Sequence, residues 1–144
     1  MILWCLLSKG IAKNFVSKFP VLKSLKQQTL LLGTAVPVRM SGKFVYNLIT
    51  KCNFWSKPTL FNLKSSLQSL HLHAKHNSVQ EISVPRLGGG LDGLDFDKDV
   101  RPLLLDEFSS STVQVYIYSL DVRLPETRRY VHCFEKGVDH FWSI

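Results

Sequence analysis

Apolar positions along this chain change their spacing several times, alternating helix with strand. From Gly10 onward Ile11, Phe15, Phe19, Leu22 and Leu25 recur at three- and four-residue steps. That is the period of one buried helix face, here interrupted at Pro20 and ended by Gly33. Ala35 to Met40 and Lys43 to Thr50 carry β-branched and aromatic residues instead, with Ser41-Gly42 between them. The pair predicts a hairpin closed by a tight reversal. Pro58-Thr59 opens a second helix with Pro58 in its first turn, Leu60, Leu63, Leu67 and Leu70 as its buried stripe, and Asn77 as its stop. Val79 to Val84 predicts a short strand closed by Pro85, and Arg86 to Asp95 a glycine-rich loop. Asp97 to Phe108 is helical in pattern, with Asp97 and Asp99 near its positive end, and Thr112 to Tyr118 is a strand. Such alternation predicts a layered α/β fold with a mixed sheet. Asp121 to Ile144 has weak periodicity. Its Tyr130 to Phe134 core reads as a strand, an appendage or a poorly ordered tail.

Composition narrows the class. With 144 residues, 45% hydrophobic and 20% charged, the chain has enough surface to bury for one core, roughly 68% of its unfolded area. Aromatic content of 11% is too high for a disordered tail. The longest apolar run, Met1 to Leu7, falls short of the ~20 residues of a membrane span, so no membrane partner is expected. Three cysteines far apart in sequence suggest neither a disulfide framework nor a zinc module, and Cys52 is expected to be buried and inert. The N-terminus lacks the basic region of a secretory leader. A nuclear or cytoplasmic address is expected rather than a mitochondrial one.

Charge changes the picture further. The net charge is +7, yet the first eighty residues hold 11 of the basic residues and no carboxylate before Glu81. A basic half joined to an acidic half suggests an anionic partner such as a nucleotide, a nucleic acid or a membrane surface.

The segment from Val84 to Gly93 carries the most chemistry. Gly88, Gly89 and Gly90, between a strand and a helix, let backbone N–H groups approach an anion closely. Gly88, Gly90 and Gly93 satisfy the spacing G-x-G-x-x-G, but no acid stands ~20 residues on to hold a ribose. No Walker-type lysine follows the glycines either. Asp92 places a carboxylate inside the cradle.

These residues, taken with Val45-Tyr46-Asn47-Leu48-Ile49-Thr50-Lys51 and Lys57-Pro58-Thr59, closely resemble macrodomains of the terminal ADP-ribose protein glycohydrolase type. Ser8-Lys9-Gly10-Ile11-Ala12, with Phe15 and Lys18-Phe19, is similar to that family's first glycine loop and helix. Tyr116 to Leu120 is similar to its final strand. The resemblance covers about residues 5–120, with 121–144 as an extension. It implies a three-layer α/β/α fold with a mixed sheet and an ADP-ribose cleft at the strand ends. It also implies that Lys51 attacks the anomeric carbon of ADP-ribose and that Asp92 completes release. Arg86, Gly88, Gly89, Gly90 and Leu91 would meet the distal ribose and phosphate, and Ser8, Lys9, Gly10 and Ile11 the diphosphate. Tyr118 and Leu120 would line the adenine end. The implied substrate is an ADP-ribosylated carboxylate, with no cofactor, no metal and a monomeric protein.

The family's usual first strands are expected to be missing, since only Met1 to Leu7 precedes the first glycine loop. A sheet edge would then be open, to be covered by the tail after Leu120 or left bare. Two other functions stand beside the hydrolase. One is a non-catalytic ADP-ribose reader or an inactive truncated domain. The other acts on ADP-ribosylated DNA or binds nucleic acid through Lys43, Lys51, Lys57 and Lys64 with Phe54 and Trp55. His71, His73 and His76 form no metal set, because only His73 and His76 share a helix face.

Overall fold

The structure, a computed structural model, describes residues 2–4, 30–40, 42–52, 56–87, 93–120, 130–135 and 138–143. The expected first helix over Ile11 to Leu25 lies outside them. Strand β1 (Ile2–Trp4) is followed by the hairpin β2 (Thr34–Met40) and β3 (Lys43–Ile49), then helix α1 (Leu60–His76) and strand β4 (Glu81–Pro85). A π-helical turn (Phe96–Val100) runs into helix α2 (Arg101–Phe108), and β5 (Gln114–Leu120), β6 (Tyr130–Glu135) and β7 (Val138–Ser143) complete the order.

The hairpin forms as its sequence predicts. β2 and β3 are antiparallel from Thr34↔Ile49 to Met40↔Lys43, and Gly42 takes the left-handed φ of 75° that the reversal needs. β3 also pairs in parallel with β1, so it is the central strand of its sheet. α1 packs on β2 and β3, and β3 is buried from Val45 to Ile49. Thr59 caps α1, its Oγ1 accepting the N–H of Asn62 at 3.1 Å. Pro58 thus precedes the cap instead of occupying the first turn. The buried stripe is Leu63, Ser66, Leu67, Leu70 and Ala74. Leu60 is not part of it, because at 40% exposure it sits on the outer side of the first turn.

α1 also satisfies polar groups of β2. Ser65 Oγ donates to Gly33 O at 2.8 Å, and Ser69 Oγ accepts from Ala35 N at 3.1 Å. A Cβ on Gly33 would stand 2.9 Å from Ser65 Oγ, and its φ is +78°. Only glycine suits both the close approach and that backbone.

β4 and β5 are parallel neighbours, with Ile82, Val84, Val115 and Ile117 buried between the layers. They share one core with Tyr46 and Leu48 of β3, the α1 stripe, Phe96, Val100, Leu104 and Phe108. β1 lies against β4 and brings the two sheets together. The stretch expected as one helix from Asp97 to Phe108 is two elements, a π turn and then a regular helix with Pro102 near its start. The extension beyond Leu120 supplies β6 and β7. β6 runs antiparallel to β5, from Ile117↔Phe134 to Leu120↔Val131, and β7 pairs with β6. The outer edge of β5 is covered by strand. Cys52, expected to be buried, is exposed, since it lies beyond the end of β3.

Candidate functional site

The site region begins where β3 ends. Val45 to Thr50 are all buried, and Lys51 is the next residue, half-buried. Two polar groups are carried inside. Asn47, fully buried, donates through Nδ2 to Val36 O at 3.2 Å and to Val45 O at 3.4 Å. Thr50 Oγ1 is buried with no hydrogen-bond partner among the described residues, an arrangement that costs roughly 1–3 kcal/mol unless something binds there.

From Lys51 the chain passes Lys57 and Pro58 to the cap of α1. Here it meets the segment that leaves β4. Lys57 Nζ lies 3.9 Å from the position that a Cβ on Gly93 would take, and Gly93 has φ +71°. Lys57, after β3, and Gly93, between β4 and the π turn, are therefore neighbours. The ammonium of Lys57 sits at the loop's exit.

The two ends of the glycine loop are tied together. Arg86 Nη2 donates to Asp97 Oδ2 at 2.7 Å, and the same guanidinium lies 4.9 Å from the centroid of the Phe96 ring. Arg101 reaches the other oxygen of Asp97 at 3.2 Å and also lies over Phe96, at 5.8 Å. Phe96 is 4% exposed, so two cations and an acid are assembled on a core aromatic. Asp95 and Asp99 shape the turn that follows: Asp95 Oδ1 accepts from Lys98 N at 3.0 Å, and Asp99 Oδ2 accepts from Asp95 N at 2.9 Å. This is a reciprocal cap, and it leads into a π turn in which Arg101 N donates to Phe96 O.

Of the residues expected at the site, Lys51 stands at the end of β3 and Arg86 directly after β4. Arg86, expected as a ligand contact, has its guanidinium on Asp97 and Phe96. Tyr118 and Leu120 belong to the last turns of the β5 ladder, where Tyr118 pairs with Pro85 and Cys133, and Leu120 with Val131. Ser8, Lys9, Gly10, Ile11, Gly88, Gly89, Gly90, Leu91 and Asp92 lie outside the described residues. Lys57, expected in a family motif and on a nucleic-acid surface, and Asp97, expected only at a helix start, are additions to the expected ADP-ribose contacts. Asp97 stands four residues beyond Gly93 in sequence, whereas Lys57 is far from the glycine run and only the fold brings it to Gly93. Among the described residues no three His, Cys, Asp or Glu side chains gather as metal ligands, and no helix is long and apolar enough to cross a membrane.

The α/β fold carries a glycine-rich segment between β4 and the π turn, and comparison makes the class specific. No protein-family model matches the chain. Over 116 residues it is 33% identical to the ADP-ribose glycohydrolase OARD1 of Bos taurus and of Homo sapiens, covering 81% of this chain and 76% of the relative. Its fold matches the macrodomain of Mycobacterium tuberculosis DarG with a TM-score of 0.71 at 25% identity, over 81% of this chain and 84% of that one. Thermosipho africanus DarTG, solved in complex with ADP-ribose, matches with a TM-score of 0.72 at 20% identity, over 87% of this chain and 39% of that one. The chain belongs to the macrodomain family.

Proposed function

We propose that this protein binds ADP-ribose and hydrolyses its ester bond to modified carboxylate side chains, with Lys51 as nucleophile and Asp92 as proton carrier. The observation that supports it is the approach of Lys57 to Gly93. Lys57 lies six residues after Lys51 and Gly93 directly follows Asp92 in sequence, in a chain whose relatives are named ADP-ribose glycohydrolases. In this scheme the Lys51 amine forms a bond to the anomeric carbon while the bond to the substrate carboxylate breaks. Asp92 takes the proton that the amine loses. Asp92 returns its proton to the departing amine as water attacks the anomeric carbon, and the proton that the water loses goes to solvent, releasing ADP-ribose and restoring Lys51 and Asp92. The amine must be neutral when it attacks. N–H groups of the glycine loop and the Lys57 ammonium hold the diphosphate.

The test has two readouts. Calorimetric titration with ADP-ribose measures binding, and release of ADP-ribose from an ADP-ribosylated glutamate peptide measures turnover. Lys51→Ala and Asp92→Ala should each lower release at least ~100-fold, while binding persists. Undiminished release in both variants overturns the assignment. Binding by the wild type without any release identifies a reader instead. A parallel substrate carrying ADP-ribose on an oligonucleotide tests the nucleic-acid arm, for which Lys43, Lys57 and Lys64 are exposed.

A further inference from the structure

His71 carries a constellation that the ADP-ribose cleft does not use. Its Nδ1 lies 2.8 Å from Glu107 Oε1, and its Nε2 lies 2.8 Å from Ser111 Oγ. A carboxylate accepts but does not donate, so in the neutral imidazole Nδ1 carries the hydrogen and Nε2 offers its lone pair. The Ser111 hydroxyl must then donate to Nε2. Its oxygen also accepts the N–H of Val113 at 3.1 Å, which leaves one lone pair for attack. Nucleophile, base and orienting acid thus stand in hydrogen-bonded series, the relation that activates a serine.

Three elements build this series. His71 sits in the second half of α1, Glu107 in the last turn of α2, and Ser111 in the turn before β5. Tilted against the imidazole, with ring centroids 4.7 Å apart, Phe108 restrains the His71 ring. His71 and Glu107 side chains keep 20% exposure each, and Ser111 is half-buried. The cluster therefore lies at the protein surface. Gln114 N donates to Gln80 O, so the cluster lies beside the starts of β4 and β5. The glycine loop leaves β4 at its other end.

We propose that Ser111, His71 and Glu107 form a second, nucleophilic site that is acylated by activated carboxylic esters. Ser111 Oγ bonds to the ester carbonyl carbon as its proton passes to His71 Nε2, and Glu107 stabilises the imidazolium. The carbon–oxygen bond to the leaving group breaks, and the departing oxygen takes the proton back from His71. Water then attacks the acyl-serine by the same route, giving a carboxylic acid and restoring Ser111. The N–H groups of Ser111 and Val113 are engaged, with Phe108 O at 3.0 Å and with Ser111 Oγ at 3.1 Å. The site thus activates the nucleophile and leaves the carbonyl unpolarised by these donors. That matches esters with good leaving groups, such as aryl acetates, rather than amides.

The experiment exposes the full chain to p-nitrophenyl acetate and to a fluorophosphonate probe. Release of p-nitrophenol is followed by absorbance, and the labelled residue is mapped by peptide mass spectrometry. Both reagents should modify Ser111. Ser111→Ala should abolish that labelling while keeping ADP-ribose affinity near wild type. His71→Gln should slow it about 100-fold, and Glu107→Gln should fall between. Absence of labelling, labelling elsewhere that survives Ser111→Ala, or a wild-type rate in His71→Gln would overturn the proposal and leave the cluster as a tie between α1 and α2. Loss of ADP-ribose turnover has no bearing on this outcome, so the two proposals fail separately.

Discussion

Arg86 Nη2 donates to Asp97 Oδ2 across 2.7 Å, joining the residue after β4 to the turn beyond the glycine loop. The pair closes the loop at its base, while Phe96 beneath it belongs to the core. The contact is therefore anchored on one side and solvated on the other, with side-chain exposures of 39% and 55%. An ion pair so exposed contributes little to folding, about 0–1 kcal/mol. Its consequence is expected in the loop. Arg86→Gln and Asp97→Asn should leave the melting temperature almost unchanged and lower ADP-ribose release about tenfold or more, as displaced catalytic groups do. Arg86→Asp combined with Asp97→Arg should recover part of the loss. Equal activity in all variants would show that the loop holds its shape without the pair.

Thr50 gives a prediction in which stability and binding move oppositely. Its hydroxyl is buried and has no partner among the described residues. Thr50→Val keeps the shape and removes the unsatisfied group, so the free protein should gain about 1 kcal/mol in denaturant unfolding. If bound ADP-ribose supplies the missing partner, its affinity falls in the same variant. Calorimetry on wild type and variant separates the two effects.

Tyr46 ties stability to alkaline pH. It is fully buried on β3, its Oη is 2.9 Å from His73 Nδ1, and burial raises its phenol above the ordinary value of 10.0. Above that pH the unfolded chain loses this proton while the folded chain keeps it. The unfolded state then binds fewer protons, and stability falls as pH rises. Unfolding free energy measured across pH 9 to ~11 should decline from this source. Tyr46→Phe should flatten that decline, while costing about 1 kcal/mol at neutral pH through loss of the hydroxyl.

Ser78 follows the cap of α1 with φ 54°, a left-handed conformation costing a non-glycine residue roughly 1–2 kcal/mol. Val79 N donates to Ala74 O at 2.9 Å beyond it, so the termination is fully formed. Ser78→Gly should stabilise the fold by about 0.5 kcal/mol, the strain relief being partly offset by glycine's freedom when unfolded. Thermal melting should rise by about 2 °C, and a lower melting point would refute the strain at this position.

What the chain determined by itself is local. Ser41-Gly42 between two β-rich runs was enough to set the hairpin, and Leu63, Leu67 and Leu70 were enough to set the inner face of α1, because period and turn chemistry act over a few residues. The motifs around Lys51 and the glycine run likewise made the family legible before any contact was known. Tertiary structure decided what depends on residues far apart. It left Leu60 outside the core, split the expected last helix into a π turn and α2 where Asp95 and Asp99 cap each other, and laid β6 on the edge of β5. It also turned Arg86 onto Asp97 and joined His71 to Glu107 and Ser111, partners 36 and 40 residues away. Hydrogen bonds and ion pairs of that kind have no period to detect. They exist only once packing has brought their elements together.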